Sequence, residues 1–156
     1  MITVTQRRVL SADPDAVWAV LADFGGISAW APNVDHSRVL RGGAGPLAPG
    51  TVRRVQVGRT TLLEQVTEVD PPTALAYDLE GLPPIVRTAR SRWLLEPAPR
   101  GGTRASLTTR VDCGPRPPQQ VAARIVGRVL ARSSRQLLEG LAQAERHPHA
   151  TDPSEG

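Results

Sequence analysis

The sequence contains no lysine, one cysteine and few aromatic residues. All 19 basic residues are arginines, and the lone Cys113 excludes a disulfide framework or a cysteine-based metal site within one chain. The three histidines form no Glu-x-x-His motif, so we expect neither a metal nor another cofactor. No stretch approaches 18 apolar residues and the first residues lack an apolar signal core, which predicts a soluble, cytoplasmic protein without membrane insertion.

The positive charge is not concentrated in blocks. The net charge is +4 and the pI is about 10.8, but the arginines are spread along the chain. Tails that bind nucleic acid usually carry runs of like charge, so we expect no nucleic-acid partner. The glycine-rich stretch 42–45 lacks the lysine and the following helix of a phosphate loop, and no Gly-x-Ser-x-Gly elbow is present.

Strand patterns dominate the first two thirds of the chain. Residues 2–10 alternate and are rich in β-branched side chains, and Asp13-Pro14 then begins a helix, followed by a short helical turn at 27–30. Further strands are predicted at 34–41, 51–58, 61–69, 74–80, 86–97 and 103–112. Short connections between them favour an antiparallel meander. We therefore predict one α+β domain over 1–145.

A long helix is predicted over 119–145, and the polar, proline-broken residues 146–156 are predicted to be a disordered tail. Four arginines share one side of the helix: Arg124, Arg128, Arg132 and Arg135. The other side carries Ala122, Val126, Val129, Leu130, Ser133, Leu137 and Leu141. The apolar side must cover the sheet. The arginine side is typical of a solvated helix face, and a surface interaction with a membrane or nucleic acid is the weaker alternative.

Several short motifs occur in an order that resembles a known superfamily. They are, along the chain, 12–18, 22–24 with Trp30, 50–53, 63–66, 75–77, Trp93 and 101–104. In this order they resemble the START-like, or SRPBCC, superfamily, and most of all its polyketide cyclase/dehydrase-like group. The resemblance implies a helix-grip fold: a curved, seven-stranded antiparallel sheet around a long C-terminal helix, with two short helices between strands 1 and 2. It also implies a cavity for a hydrophobic ligand.

Strand alternation selects the side chains that face the helix, because residues two apart share a side of a strand. Most are apolar, and Arg53, Glu64 and Tyr77 are the polar exceptions. The resemblance matches Glu64 with a glutamate that lines the cavity of related proteins. The predicted ligand-binding residues are Trp30, Arg53, Val55, Glu64, Val66, Tyr77, Leu79, Ser91, Trp93, Leu107, Thr109, Ile125, Val129 and Ser133.

The polar inward residues leave two functions open. Glu64 is either one half of an ion pair with Arg53 that shapes the cavity, or a ligand contact and catalytic acid/base that Arg53 and Tyr77 assist. We therefore expect a monomer or homodimer that binds a small lipid-like or polyketide-like molecule. The alternative is a cyclase/dehydratase-like enzyme. A pocket well below ~300 Å³ would contradict the binding function.

The enzymatic alternative makes a direct prediction about Glu64. Removal of its charge by Glu64→Gln should lower turnover of a ketone substrate by ~10²-fold or more without unfolding the protein. Steady-state kinetics beside a thermal melt would measure both effects. Unchanged turnover would exclude acid–base catalysis by this carboxylate.

Overall fold

The computed structural model describes residues 1–43, 45–114 and 117–146, and within the last helix it describes the side chains of residues 124–144. The elements in chain order are β1 (Ile2–Leu10), α1 (Pro14–Ala22), a 3₁₀ helix (Phe24–Ala29), β2 (His36–Arg41), β3 (Val52–Val57), β4 (Thr60–Asp70), β5 (Ala74–Glu80), β6 (Thr88–Pro97), β7 (Thr103–Asp112) and α2 (Pro117–Arg146). All but Arg146 of the predicted tail lies outside the described residues.

The strands form one seven-stranded antiparallel sheet in the order β1-β7-β6-β5-β4-β3-β2. Its concave face is covered by α2, so the predicted helix-grip fold is confirmed. Two predicted strands begin late. Val34 belongs to a turn, where its amide donates to the Ala31 carbonyl at 3.1 Å. In the same way, the Val86 amide donates to Pro83 at 2.9 Å, which delays β6 until Thr88.

The two short helices close one end of the sheet. Asp13 caps α1 by accepting a hydrogen bond from the Ala16 amide at 2.9 Å, and Pro14 occupies the first turn, where no amide donor is lost. The 3₁₀ helix begins at Phe24, earlier than the turn predicted at 27–30. It buries Phe24 and Ile27, and this places the Phe24 backbone against the sheet.

The C-terminal half of α2 anchors the helix to the rest of the fold. Its buried residues are Ser134, Leu138, Gly140, Leu141 and Ala142. A Cβ at Gly140 would collide with the carbonyl oxygen of Trp30, so only glycine allows this close approach. No described helix is both long enough and apolar enough to cross a membrane.

The N-terminal half of α2 is less buried than its pattern predicts. Gly127 is the only fully buried residue among 124–133, and Val129 is 63% exposed. The predicted apolar side still faces the sheet, since Leu130, Ser133 and Leu137 line the space between them and Leu141 is buried, but the adjacent Ser134 and Leu138 are buried as well. Ala122 lies outside the described side chains. The shallow packing of this half leaves space between helix and sheet.

Candidate functional site

A cavity of about 260 Å³ lies between the concave face of the sheet and α2. Its wall is mostly aliphatic, with a few hydroxyl groups, one carboxylate and one amide. The residues that line it are Ile27, Asn33, Val34, Val55, Val57, Thr60, Leu62, Glu64, Tyr77, Leu79, Leu82, Pro83, Ser91, Leu107, Thr109, Val129, Leu130, Ser133, Ser134 and Leu137.

Most of the predicted ligand-binding residues lie on this wall. The strand residues do so because their alternation holds along the sheet, and the cross-strand register places Glu64 beside Leu79, and Ser91 between Tyr77 and Thr109. The predicted residues that line the cavity are Val55, Glu64, Tyr77, Leu79, Ser91, Leu107, Thr109, Val129 and Ser133.

The other five predicted residues lie off the wall. Val66 and Trp93 are 1% exposed and belong to the main hydrophobic core. Trp30 packs edge-on against Trp93, with ring centroids 6.4 Å apart. Ile125 is 60% exposed, because its side of α2 faces away from the sheet. Arg53 is buried behind the wall, where other side chains surround it.

The Arg53 guanidinium is held on several sides. Nη1 donates to the Phe24 carbonyl oxygen at 2.9 Å, and Nη2 donates to Glu64 Oε2 at 3.3 Å. Arg53 and Glu64 are direct cross-strand neighbours on β3 and β4, which explains the ion pair. The guanidinium carbon also lies 3.8 Å from the ring centre of Phe24 and 4.9 Å from that of Tyr77. These contacts offset part of the cost of burying the charge.

Tyr77 joins this group to the cavity. Its hydroxyl oxygen accepts a hydrogen bond from Trp93 Nε1 at 3.2 Å, and its ring packs edge-on against Phe24. Burial, and next the negative charge of Glu64, raise the pKa of Tyr77 to about 12, although the positive charge of Arg53 opposes this. Tyr77 therefore remains a neutral hydroxyl over the ordinary pH range.

Two further polar pairs lie on the wall. The hydroxyls of Ser91 and Thr109 are 2.9 Å apart in the buried part of the sheet. Nearer the loops, Asn33 Nδ2 donates to Ser133 Oγ at 2.9 Å and ties the segment before β2 to α2. Asn33 Oδ1 is buried without a protein partner, and unsatisfied buried polar atoms are rare enough to need an explanation.

Sequence reasoning missed the wall residues that lie in loops. Asn33, Leu82 and Pro83 line the cavity but belong to no periodic pattern. Only their position at the ends of inward-facing strands could have indicated them. The β5–β6 connection is apolar as well as proline-rich, and this is the one local signal that it covers a cavity rather than extending into solvent.

Comparison with known proteins supports the fold and identifies the family. Residues 1–144 match the model of the family described as "Polyketide cyclase / dehydrase and lipid transport". Among curated proteins the sequence has no significant match.

Solved structures with the same fold come from several bacteria. The Zhui aromatase/cyclase from Streptomyces sp. R1128 is 24% identical, with a TM-score of 0.77 and 96% of each chain covered. A Thermobifida fusca protein solved by NMR is 25% identical, with a TM-score of 0.76 and the same coverage. A START superfamily protein from Mycobacterium smegmatis is 12% identical, with a TM-score of 0.73 and 94% and 98% of the two chains covered. With a family match over nearly its whole length, the chain belongs to the polyketide cyclase/dehydrase and lipid transport family.

Proposed function

We propose that this protein binds a small, largely apolar molecule in the cavity between its sheet and α2. The observation that carries the proposal is the cavity itself: about 260 Å³ of space between the sheet and α2, bounded mainly by aliphatic side chains and partly open to solvent. Well-packed interiors contain few voids larger than a water molecule. The volume lies just below the range of about 300–1,000 Å³ that is typical of ligand pockets, so the ligand is compact.

The polar groups on the wall limit the chemistry of the ligand. Tyr77 is a neutral phenol, and the Ser91–Thr109 pair and Ser133 add further hydroxyls. Hydroxyls donate and accept hydrogen bonds, so they fit a ligand with an apolar body and one or two hydroxyl or carbonyl oxygens. A ligand with a full negative charge would meet Glu64 on the same wall, which disfavours it.

The contacts of Arg53 favour binding over catalysis. Its two terminal nitrogens donate to Phe24 and Glu64, and its faces lie against the rings of Phe24 and Tyr77. Arg53 Nε has no hydrogen-bond partner among the described residues, but Arg53 does not line the cavity, so the guanidinium is poorly placed to stabilise an oxyanion on a substrate. Glu64 is the ion-pair partner of Arg53, so its negative charge is balanced within the protein. An acid/base role for Glu64 in a cyclase/dehydratase-like reaction is the second candidate, and its place on the wall beside the Tyr77 phenol is the observation that favours it.

Tyr77 is the only tyrosine in the chain, so its ionisation can be followed by the absorbance of the phenolate. We expect a native midpoint at about 12 and a midpoint near 10 in denaturant. The folded state keeps this proton after the unfolded state has lost it. The free energy of unfolding should therefore fall as the pH rises from about 10 to about 12. Tyr77→Phe should lose this dependence, and a native midpoint near 10 would show that the phenol is solvated.

Filling the cavity tests the binding proposal. Ser133 lines the cavity from α2, so Ser133→Phe should weaken binding of an apolar fluorescent probe such as N-phenyl-1-naphthylamine by at least ~10-fold. The matched control is Arg132→Phe, which adds the same ring at the neighbouring, exposed position. Fluorescence titration measures the Kd, and a thermal melt verifies that both variants fold.

Three outcomes are informative. Weakening by Ser133→Phe alone places the probe in the cavity. Equal affinity of both variants and the original chain would place the probe on the surface and contradict the proposal. Failure of the original chain to bind any compact apolar probe would also contradict it.

A further inference from the structure

A wide groove lies on the opposite face of the sheet from α2. It has a volume of about 840 Å³ and is open to solvent. Its lining is rich in guanidinium and hydroxyl groups: Thr5, Arg7, Thr67, Glu68, Ala76, Arg90, Arg92, Leu94, Glu96, Arg104, Ser106, Thr108 and Arg110. None of these residues lines the cavity.

Strand register gives the groove a floor of hydroxyl groups. Thr5 on β1 is the cross-strand neighbour of Thr108 on β7, and their hydroxyl oxygens are 3.0 Å apart. Ser106 is two residues from Thr108 and therefore on the same face of β7. All three side chains are only partly exposed, so they form a defined surface between β1 and β6.

Four arginines surround this floor. Arg92 is the neighbour of Thr108 on the β6 side, and Arg110 follows two residues along β7. Arg90 lies directly opposite Arg110, and Arg7 directly opposite Ser106. Two like charges in a direct cross-strand position destabilise a sheet unless something neutralises them.

Carboxylates neutralise only part of this charge. Arg90 pairs with Asp78 at 2.7 Å and Arg92 pairs with Glu68 at 2.9 Å, both on the side toward β5 and β4. Glu96 lies at the far end of the groove, where it is the cross-strand neighbour of Arg104.

The remaining charge is on the β1 and β7 side. Among the described residues, the groove arginines Arg7, Arg104 and Arg110 have no ion pair, and all three are exposed. The groove therefore has an excess of positive charge next to its hydroxyl floor.

We propose that this groove is a second binding site, for a small soluble molecule that carries two or more phosphate or sulfate groups. Guanidinium groups bind such oxyanions with charge-assisted, paired hydrogen bonds, and hydroxyls donate to the remaining oxygens. Arg7 and Arg110 flank the floor along the strands, so they can hold two anionic groups of one ligand. No aromatic side chain lines the groove, so it offers no platform for stacking of nucleic-acid bases.

Inorganic tripolyphosphate is the probe for this site, titrated by calorimetry at ~50 mM salt, where surface electrostatics are weakly screened. Arg7→Gln/Arg110→Gln should weaken its binding by at least ~10-fold. The matched control is Arg128→Gln/Arg132→Gln, which removes the same two charges from the exposed side of α2. It should change the Kd by less than ~2-fold if the site is local rather than a general effect of net charge.

Several results would overturn the proposal. These are no binding of tripolyphosphate by the original chain, an equal loss in both double variants, or a larger loss in the α2 variant. The proposal would also be contradicted if the protein bound anionic vesicles or a single-stranded oligonucleotide but not tripolyphosphate. Thermal melts of the variants distinguish lost contacts from lost folding, because all four substituted side chains are exposed.

Discussion

The burial of one guanidinium group organises the interior of this protein. Arg53 is 3% exposed, and an isolated charge at such a depth would be strongly unfavourable. It is tolerated because the Phe24 carbonyl, Glu64 and two aromatic rings surround it. These partners belong to the 3₁₀ helix, β4 and β5, so a single side chain from β3 holds together one end of the fold. Loss of one partner of a buried pair commonly costs about 3–5 kcal/mol.

This arrangement also decides what the cavity presents to a ligand. The positive charge lies behind the wall, while Glu64, the neutral Tyr77 phenol and several hydroxyls lie on it. Four of the five aromatic residues of the chain, Phe24, Trp30, Tyr77 and Trp93, form one connected group, and two of them, Phe24 and Tyr77, lie against the guanidinium. Of the four, only Tyr77 lines the cavity. The cavity wall is consequently mostly aliphatic, and most of its polar groups are neutral hydroxyls. Such a space suits recognition of shape and of one or two oxygens more than it suits charge stabilisation during a reaction.

The sheet was largely predictable from the sequence because its strands obey a period of two. Alternation placed Val55, Glu64, Tyr77 and Thr109 on the inward face without knowledge of the fold. It was harder to predict which of the inward-facing side chains reach the cavity wall. Arg53 and Glu64 share a face, but only the three-dimensional packing of Phe24 places the arginine behind the wall and the glutamate on it.

Helix and loop residues were less predictable for physical reasons. A helix has no sharp boundary between its sides, so Ile125, which was predicted to bind ligand, lies exposed, and Ser134 and Leu138, which were not predicted to face the sheet, are buried. Asn33 lies in a turn, where no period exists to indicate which way a side chain points. The groove on the opposite face of the sheet could not be predicted from alternation alone. Alternation places its arginines on the outer face, but only the pairing of the strands brings Arg7, Arg92 and Arg110 around one pair of threonines.

The proposed function requires that the cavity holds a compact apolar molecule. Native mass spectrometry of the protein purified from its own host tests whether such a molecule is bound, because a ligand held between sheet and helix should survive gentle transfer. We expect a second species, heavier than the bare chain by the mass of one small molecule, that disappears when the protein is denatured. A spectrum with only the bare chain, before and after incubation with a lipid extract of the host, would contradict it.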